Sequence, residues 1–183
     1  MMANSSPPNM SPGLDAVLRI VDTIGRLAGY LAAVALMALF LLMLSEVVAR
    51  NLLGVSNPIA WDYSAYMMGA IFFLAAATAL KHDVHVRVTL LSETVSARAA
   101  KNLDVIATLL AFAIACYLSF SLGDQAFQSL MRGAKSFSVV ATPLWIPQSV
   151  LFIGAVIFAL QLLARVVRVA MGAEPSAVAG ERN

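Results

Sequence analysis

Residues 27–49 read LAGYLAAVALMALFLLMLSEVVA, a run in which the only ionisable acid or base is Glu46, close to its end. About 20 residues rising 1.5 Å each cross a hydrocarbon layer about 30 Å thick, and backbone groups denied water must pair within their own segment. The run is therefore predicted to be a membrane-spanning helix. Working outward along the chain, three more runs have the same character: 60–80, 105–122 and 144–164. Apolar residues make up 61% of the 183 and charged ones 12%, with a mean hydropathy of +0.84, which leaves too little polar surface to coat a soluble domain. The fold class is all-α integral membrane: four transmembrane helices with an N-terminal interfacial amphipathic helix, both termini cytoplasmic. Residues 1–11 and 170–183 are expected to be disordered tails around a membrane domain at 12–169.

Orientation follows from the basic residues, which concentrate in cytoplasmic connections. With four spans both termini share a side, and that side holds Arg19, Arg26, Lys81, Arg87, Arg98, Lys101, Arg165, Arg168 and Arg182. The opposite side holds Arg50, Arg132 and Lys135. Trp61 and Trp145 open the second and fourth runs on this less basic side, where amphipathic rings settle at headgroup level. Both signals place the termini in the cytoplasm.

The connections have readable chemistry. Ser11 before Pro12 is a helix start, and Leu14, Val17, Leu18, Val21 and Ile24 then recur at helical spacing. Asp15/Arg19 and Asp22/Arg26 stand four apart on the polar face, as in a helix lying at the cytoplasmic interface. Gly25 and Gly29 follow, with the spacing that allows either a turn into the membrane or a close helix contact. The first apolar run exceeds a signal-peptide core, so it is expected to remain as an anchor. Residues 51–59, with Gly54, Asn57 and Pro58, form a short outer turn. Residues 81–89 alternate Val84, Val86 and Val88 with polar groups and are expected to be extended; 90–102 make a short interfacial helix. The connection 123–143 is the longest outer one, and Pro143 and Pro147 fix the start of the last span.

Several function classes drop out on residue content. Haem between spans needs intramembrane axial ligands, yet His82 and His85 both lie in a connection, where an alternating backbone turns them to opposite faces. No nucleophile elbow, metalloprotease helix or basic tract for nucleic acid occurs. Cys116, the single cysteine, reads as a small packing residue. Glu46 and Asp62 are the acids nearest the membrane. Glu46 stands four residues before Arg50 and reads as a helix-end ion pair, and Asp62 reads as an interfacial or helix N-terminal acid, with proton or sodium ligation by either as the sharper alternative. No catalytic residue, cofactor site or metal site is predicted.

Three stretches together resemble one family: Glu46-Val47-Val48-Ala49-Arg50-Asn51, Trp61-Asp62-Tyr63-Ser64-Ala65-Tyr66, and His85-Val86-Arg87-Val88-Thr89-Leu90-Leu91. With Pro143-Leu144-Trp145-Ile146-Pro147 they look like the small membrane subunit, the DctQ-like component, of tripartite ATP-independent periplasmic (TRAP) transporters. Two departures stand out, since the family often carries a second acid where this chain has Tyr63, and commonly an aspartate where it has Thr89. The resemblance implies a non-enzymatic scaffold with two partners besides the lipid bilayer. One is a large multi-span subunit, carrying out sodium-coupled uptake of an organic acid; the other is a periplasmic substrate-binding protein. Interface candidates on that reading are Glu46, Arg50, Trp61, Asp62, His85, Arg87 and Trp145, while Ala75, Ala76, Ala77 and Ala79 offer a small-residue face for packing. The architecture is also similar to the four-span subunit of tripartite tricarboxylate transporters. An electron-transfer subunit and a stand-alone exporter are the remaining alternatives.

Overall fold

The computed structural model describes residues 11–81, 97–137 and 140–171. Within them lie α1 (Pro12–Val48), α2 (Pro58–Lys81), α3 (Ala97–Met131) and α4 (Trp145–Ala170), all four long and apolar enough to cross a membrane. A π-helical turn, Ala49–Leu53, closes α1 and ends at Gly54. Gly54 takes the left-handed conformation (φ 66°), which a residue without Cβ adopts at no steric cost. Since α2 and α4 begin, and α1 and α3 finish, at the end that carries Trp61 and Trp145, we call it the tryptophan end. The opposite one is the amino-terminal end.

The helices do not form a symmetric bundle. α1 packs against α2 and, less extensively, α4; α2 packs against α4; α3 lies along α4 on the side away from α1. Lipid chains are as apolar as leucine, so spans associate where small residues bring backbones together. The buried positions follow that rule: Ala28 and Ala32 on α1, Ala60 and Ala77 on α2, Ala115 on α3, and Ala155, Ala159 and Ala164 on α4. Glycines mark the closest approaches. Gly69 of α2 faces Leu151, Gly154 of α4 faces Phe73, and Gly123 of α3 faces the Phe152 ring. Of the alanine face expected on α2, Ala77 is wholly buried whereas Ala75 is exposed.

Four sequence expectations need correction. Of the two readings of Gly25 and Gly29, the close helix contact holds and the turn does not, because α1 runs through them unbroken from Pro12. They are the notch where Gln161 of α4 and Thr78 of α2 enter. Gln161 Nε2 donates to Val21 O (2.7 Å) and Thr78 Oγ1 to Gly25 O (2.8 Å), so the two polar side chains are satisfied by α1 backbone. The third helix also does not stop at Leu122. α3 continues to Met131, because Gly123 serves as a contact inside the helix and Asp124, Gln128 and Arg132 then join in i,i+4 side-chain bonds of 2.7 and 2.8 Å. No separate interfacial helix precedes it within the described residues, since 97–102 already belong to α3. Cys116 faces outward rather than into the packing.

Arg19 pairs with Asp15 (2.8 Å) as the spacing predicts, and Arg168 of α4 reaches Asp22 of α1 at 2.8 Å. Of the extended segment expected at 81–89, Lys81 ends α2 and 82–89 lie outside the described residues, as do 1–10 and 172–183 of the two expected tails; Ala170 still belongs to α4.

Candidate functional site

Most of the interface candidates gather at the tryptophan end. Glu46 is the hub. It lies on the α1 face that turns toward the connection to α2 and is only 5% exposed, and its carboxylate accepts three hydrogen bonds. Oε1 takes Arg50 Nη2 (2.6 Å) and Ser56 Oγ (2.8 Å), and Oε2 takes the Asn57 backbone N–H (2.7 Å). Asn57 Oδ1 in turn accepts the Ile59 N–H (3.1 Å), a cap on the first turn of α2. One carboxylate thus ties the last turn of α1 to the first turn of α2. Sequence reading anticipated the Arg50 partner; the bonds to Ser56 and Asn57, ten and eleven residues on, carry no periodic signal.

Arg50 extends from this hub across Trp61, its guanidinium carbon 5.8 Å from the ring centroid, within cation–π range. Trp61 itself is 63% exposed. One residue further, Asp62 accepts Ser136 Oγ (3.0 Å), and the Tyr63 hydroxyl lies 3.3 Å from Thr142 Oγ1. Both bonds join the start of α2 to the α3–α4 connection. That connection is a tight hairpin, with Ser136 N–H donating to Thr142 O (2.8 Å) and Leu144 N–H to Ala134 O (3.0 Å), and Lys135 bridged to Pro143. Phe137 projects from it fully exposed. Trp145 opens α4, exposed, its carbonyl accepting Ser149 Oγ (2.6 Å).

The first connection is therefore held to the end of α1 through Glu46, and the second is held to the first turn of α2 through Asp62 and Tyr63. Among what they present outward are the apolar and aromatic side chains of Leu52, Leu53 and Val55 from the first connection, Trp61 from α2, and Phe137 and Val140 from the second, beside exposed polar residues such as Asn51 and Lys135. Such a display on anchored loops suits binding another macromolecule. Glu46, Arg50, Trp61 and Asp62 are brought together; Trp145 lies at the same end, starting α4. His85 and Arg87 fall outside the described residues.

The amino-terminal end holds a second polar cluster that the sequence did not announce. Gln161, Thr78 and the Asp22–Arg168 pair lock α1 to α2 and α4 there. The available signal was a lone glutamine and a lone threonine in otherwise apolar runs.

The family model described as "Tripartite ATP-independent periplasmic transporters, DctQ component" matches residues 39–172. The chain belongs to this DctQ family. It is accordingly the small subunit of a TRAP transporter, a multi-pass protein of the inner membrane and a transport component rather than a member of an enzyme family. The match begins within α1 and runs past the end of α4, so it takes in the Glu46 hub and both connections at the tryptophan end. It decides for the TRAP architecture over the tricarboxylate one. No curated protein and no solved structure matches the chain.

Proposed function

We propose that this DctQ component is a scaffold that braces the large transport subunit and helps form the surface on which a periplasmic substrate-binding protein docks, during sodium-coupled uptake of an organic acid. Substrate and sodium are handled by the partners. The termini and the amino-terminal end of α1 face the cytoplasm, and the tryptophan end faces the periplasm. Nine basic residues against three, and the level of the two tryptophans, support this orientation.

The observation that carries the reading is the tethering at the tryptophan end. Docking a soluble protein onto loops costs less when the loops are already ordered. Glu46 holds one connection through three hydrogen bonds, and Asp62 and Tyr63 hold the other. Arg50 and Trp61, stacked and exposed, are of the residue types that dominate binding energy at interfaces. His85 and Arg87 are assigned to the cytoplasmic connection, anchoring it at headgroups or on the large subunit.

The test begins with purification of tagged protein from its native membranes in mild detergent and mass spectrometry of what accompanies it. A large multi-span TRAP subunit at near-equal amount is the expected companion. A chain that emerges alone, or as a homo-oligomer, would refute the scaffold role. Orientation is checked separately by labelling a cysteine placed at Val55 in a Cys116→Ala background with a membrane-impermeant reagent. Labelling in intact spheroplasts is expected; labelling only after lysis would invert the topology.

A further inference from the structure

α3 carries polar side chains where a lipid-facing helix would not. Tyr117, Ser121, Asp124 and Gln128 follow one another at spacings of four, three and four, which puts them on one helix face, and all four are exposed. Their depth follows from packing. Gly123 touches the Phe152 ring, and Phe152 lies seven residues, or about 10 Å, along α4 from Trp145. With Trp145 at headgroup level, Asp124 sits near that depth and Tyr117 deeper still, about a third of the way further across. Acyl chains offer no hydrogen-bond partner at such positions, so polar groups there are normally matched by protein. The exposed face of α1 is the contrast: Val34, Met37, Phe40, Leu41 and Leu44 are purely apolar and suit lipid.

Beside this stripe α3 and α4 open into a groove of about 510 Å³, lined by Phe120, Asp124 and Phe127 of α3 and by Trp145 and Phe152 of α4. It is an aromatic trough with a single carboxylate on its wall. Asp124 accepts Gln128 Nε2 at 2.7 Å, which leaves lone pairs on the carboxylate for a further donor.

We infer that the α3–α4 groove and the Tyr117–Ser121–Asp124–Gln128 face receive a transmembrane helix of the large subunit, one that carries a hydrogen-bond donor, basic in character, opposite Asp124. Two occupants are disfavoured on the same chemistry. Lipid offers no partner to the Tyr117 and Ser121 hydroxyls or to the remaining lone pairs of Asp124. A second copy related by a two-fold axis along the membrane normal brings two Asp124 carboxylates together at equal depth, where like charges repel. A 4-3-4 spacing is that of a seam between two helices packed side by side, with the polar members setting register. The inference rests on the scaffold reading above and names the surface that serves it.

The experiment places a photo-crosslinking phenylalanine analogue at Phe127 in the otherwise wild-type complex, illuminates native membranes, and identifies the adduct by mass spectrometry. In parallel, Asp124→Leu and Asp124→Asn are purified with their companions. The expected result is an adduct with the large TRAP subunit, and at least a ten-fold drop in that subunit recovered with Asp124→Leu, at unchanged membrane levels of the small subunit. An adduct with lipid or a second copy, or none while the large subunit still co-purifies, would overturn the assignment and leave the scaffold role standing. If the wild-type chain purified without a large subunit, the scaffold role and this inference would fall together. Because the crosslink is read with Asp124 intact, a misfolded variant cannot mimic either answer.

Discussion

Gly29→Ala isolates the notch that locks α1 into the fold. A Cβ there would stand 2.5 Å from Thr78 Oγ1 and 2.9 Å from its Cγ2, well inside contact distance. Thr78 is β-branched and stiff at χ1, and its hydroxyl is committed to Gly25 O, so it cannot step aside without breaking that bond. Overpacking of this kind costs about 1–3 kcal/mol, and losing an interhelical hydrogen bond in a membrane protein about 0.6 kcal/mol. Against this, alanine is the better helix former by up to about 1 kcal/mol. The steric term wins, and a net destabilisation of about 1–3 kcal/mol is expected. Equilibrium unfolding in mixed micelles with increasing SDS, followed by the fluorescence of Trp61 and Trp145, measures it. Thr78→Ala in the Gly29→Ala background removes the two nearest atoms, leaves only the Cβ at 3.1 Å, and should recover more than half of the loss, a coupling that the double-mutant cycle reports directly. Gly13→Ala is the control, since nothing lies within 4 Å of a Cβ at that position and it should be neutral or slightly stabilising. A Gly29→Ala protein as stable as wild type, or no rescue by Thr78→Ala, would refute the close-packing argument.

Other perturbations test the remaining contacts. Glu46→Ala removes the acceptor of the Asn57 N–H, so amide hydrogen exchange in residues 54–57 should accelerate at least ten-fold; unchanged protection would mean that the connection is ordered without the carboxylate. Arg50→Ala and Trp61→Ala should each weaken binding of the periplasmic protein to reconstituted complex by about 1–2 kcal/mol while leaving assembly intact, and wild-type affinity in both would remove them from the docking surface. Asp22→Arg should destabilise the amino-terminal end by about 1 kcal/mol, with partial recovery on adding Arg168→Asp; a lack of recovery would show that the pair contributes nothing of its own.

The two polar clusters divide the labour along the membrane normal. At the amino-terminal end, Gln161, Thr78 and Arg168 bind α1 to its neighbours through backbone and side-chain acceptors, so the long first helix cannot rotate independently. At the tryptophan end, Glu46 and Asp62 order the connections instead of the helices. Between the two the chain relies on alanine and glycine contacts, which have no preferred direction beyond shape.

The sequence by itself determined that there are four spans, because hydrocarbon thickness fixes the length of an apolar run and the cost of unpaired backbone fixes it as helix. It also determined the Glu46–Arg50 pair, which needs only the helical period to bring residues four apart together. The family was legible too, in short ordered motifs that the match over residues 39–172 bears out. Helix ends were less legible: Gly123 reads as a breaker in isolation, yet packed against Phe152 it is the position where α3 needs no side chain. Only the tertiary structure decided that Gly25 and Gly29 form a notch and not a turn, that Ser56 and Asn57 complete the Glu46 site, that Ser136 finds Asp62 across 74 residues, and that α3 stands with an exposed polar face that no other described helix covers. The reason is physical. Partition into a bilayer depends on the composition of each segment and is local, whereas the hydrogen bonds and small-residue contacts that orient one span against another depend on rotation and depth, which no single span specifies alone.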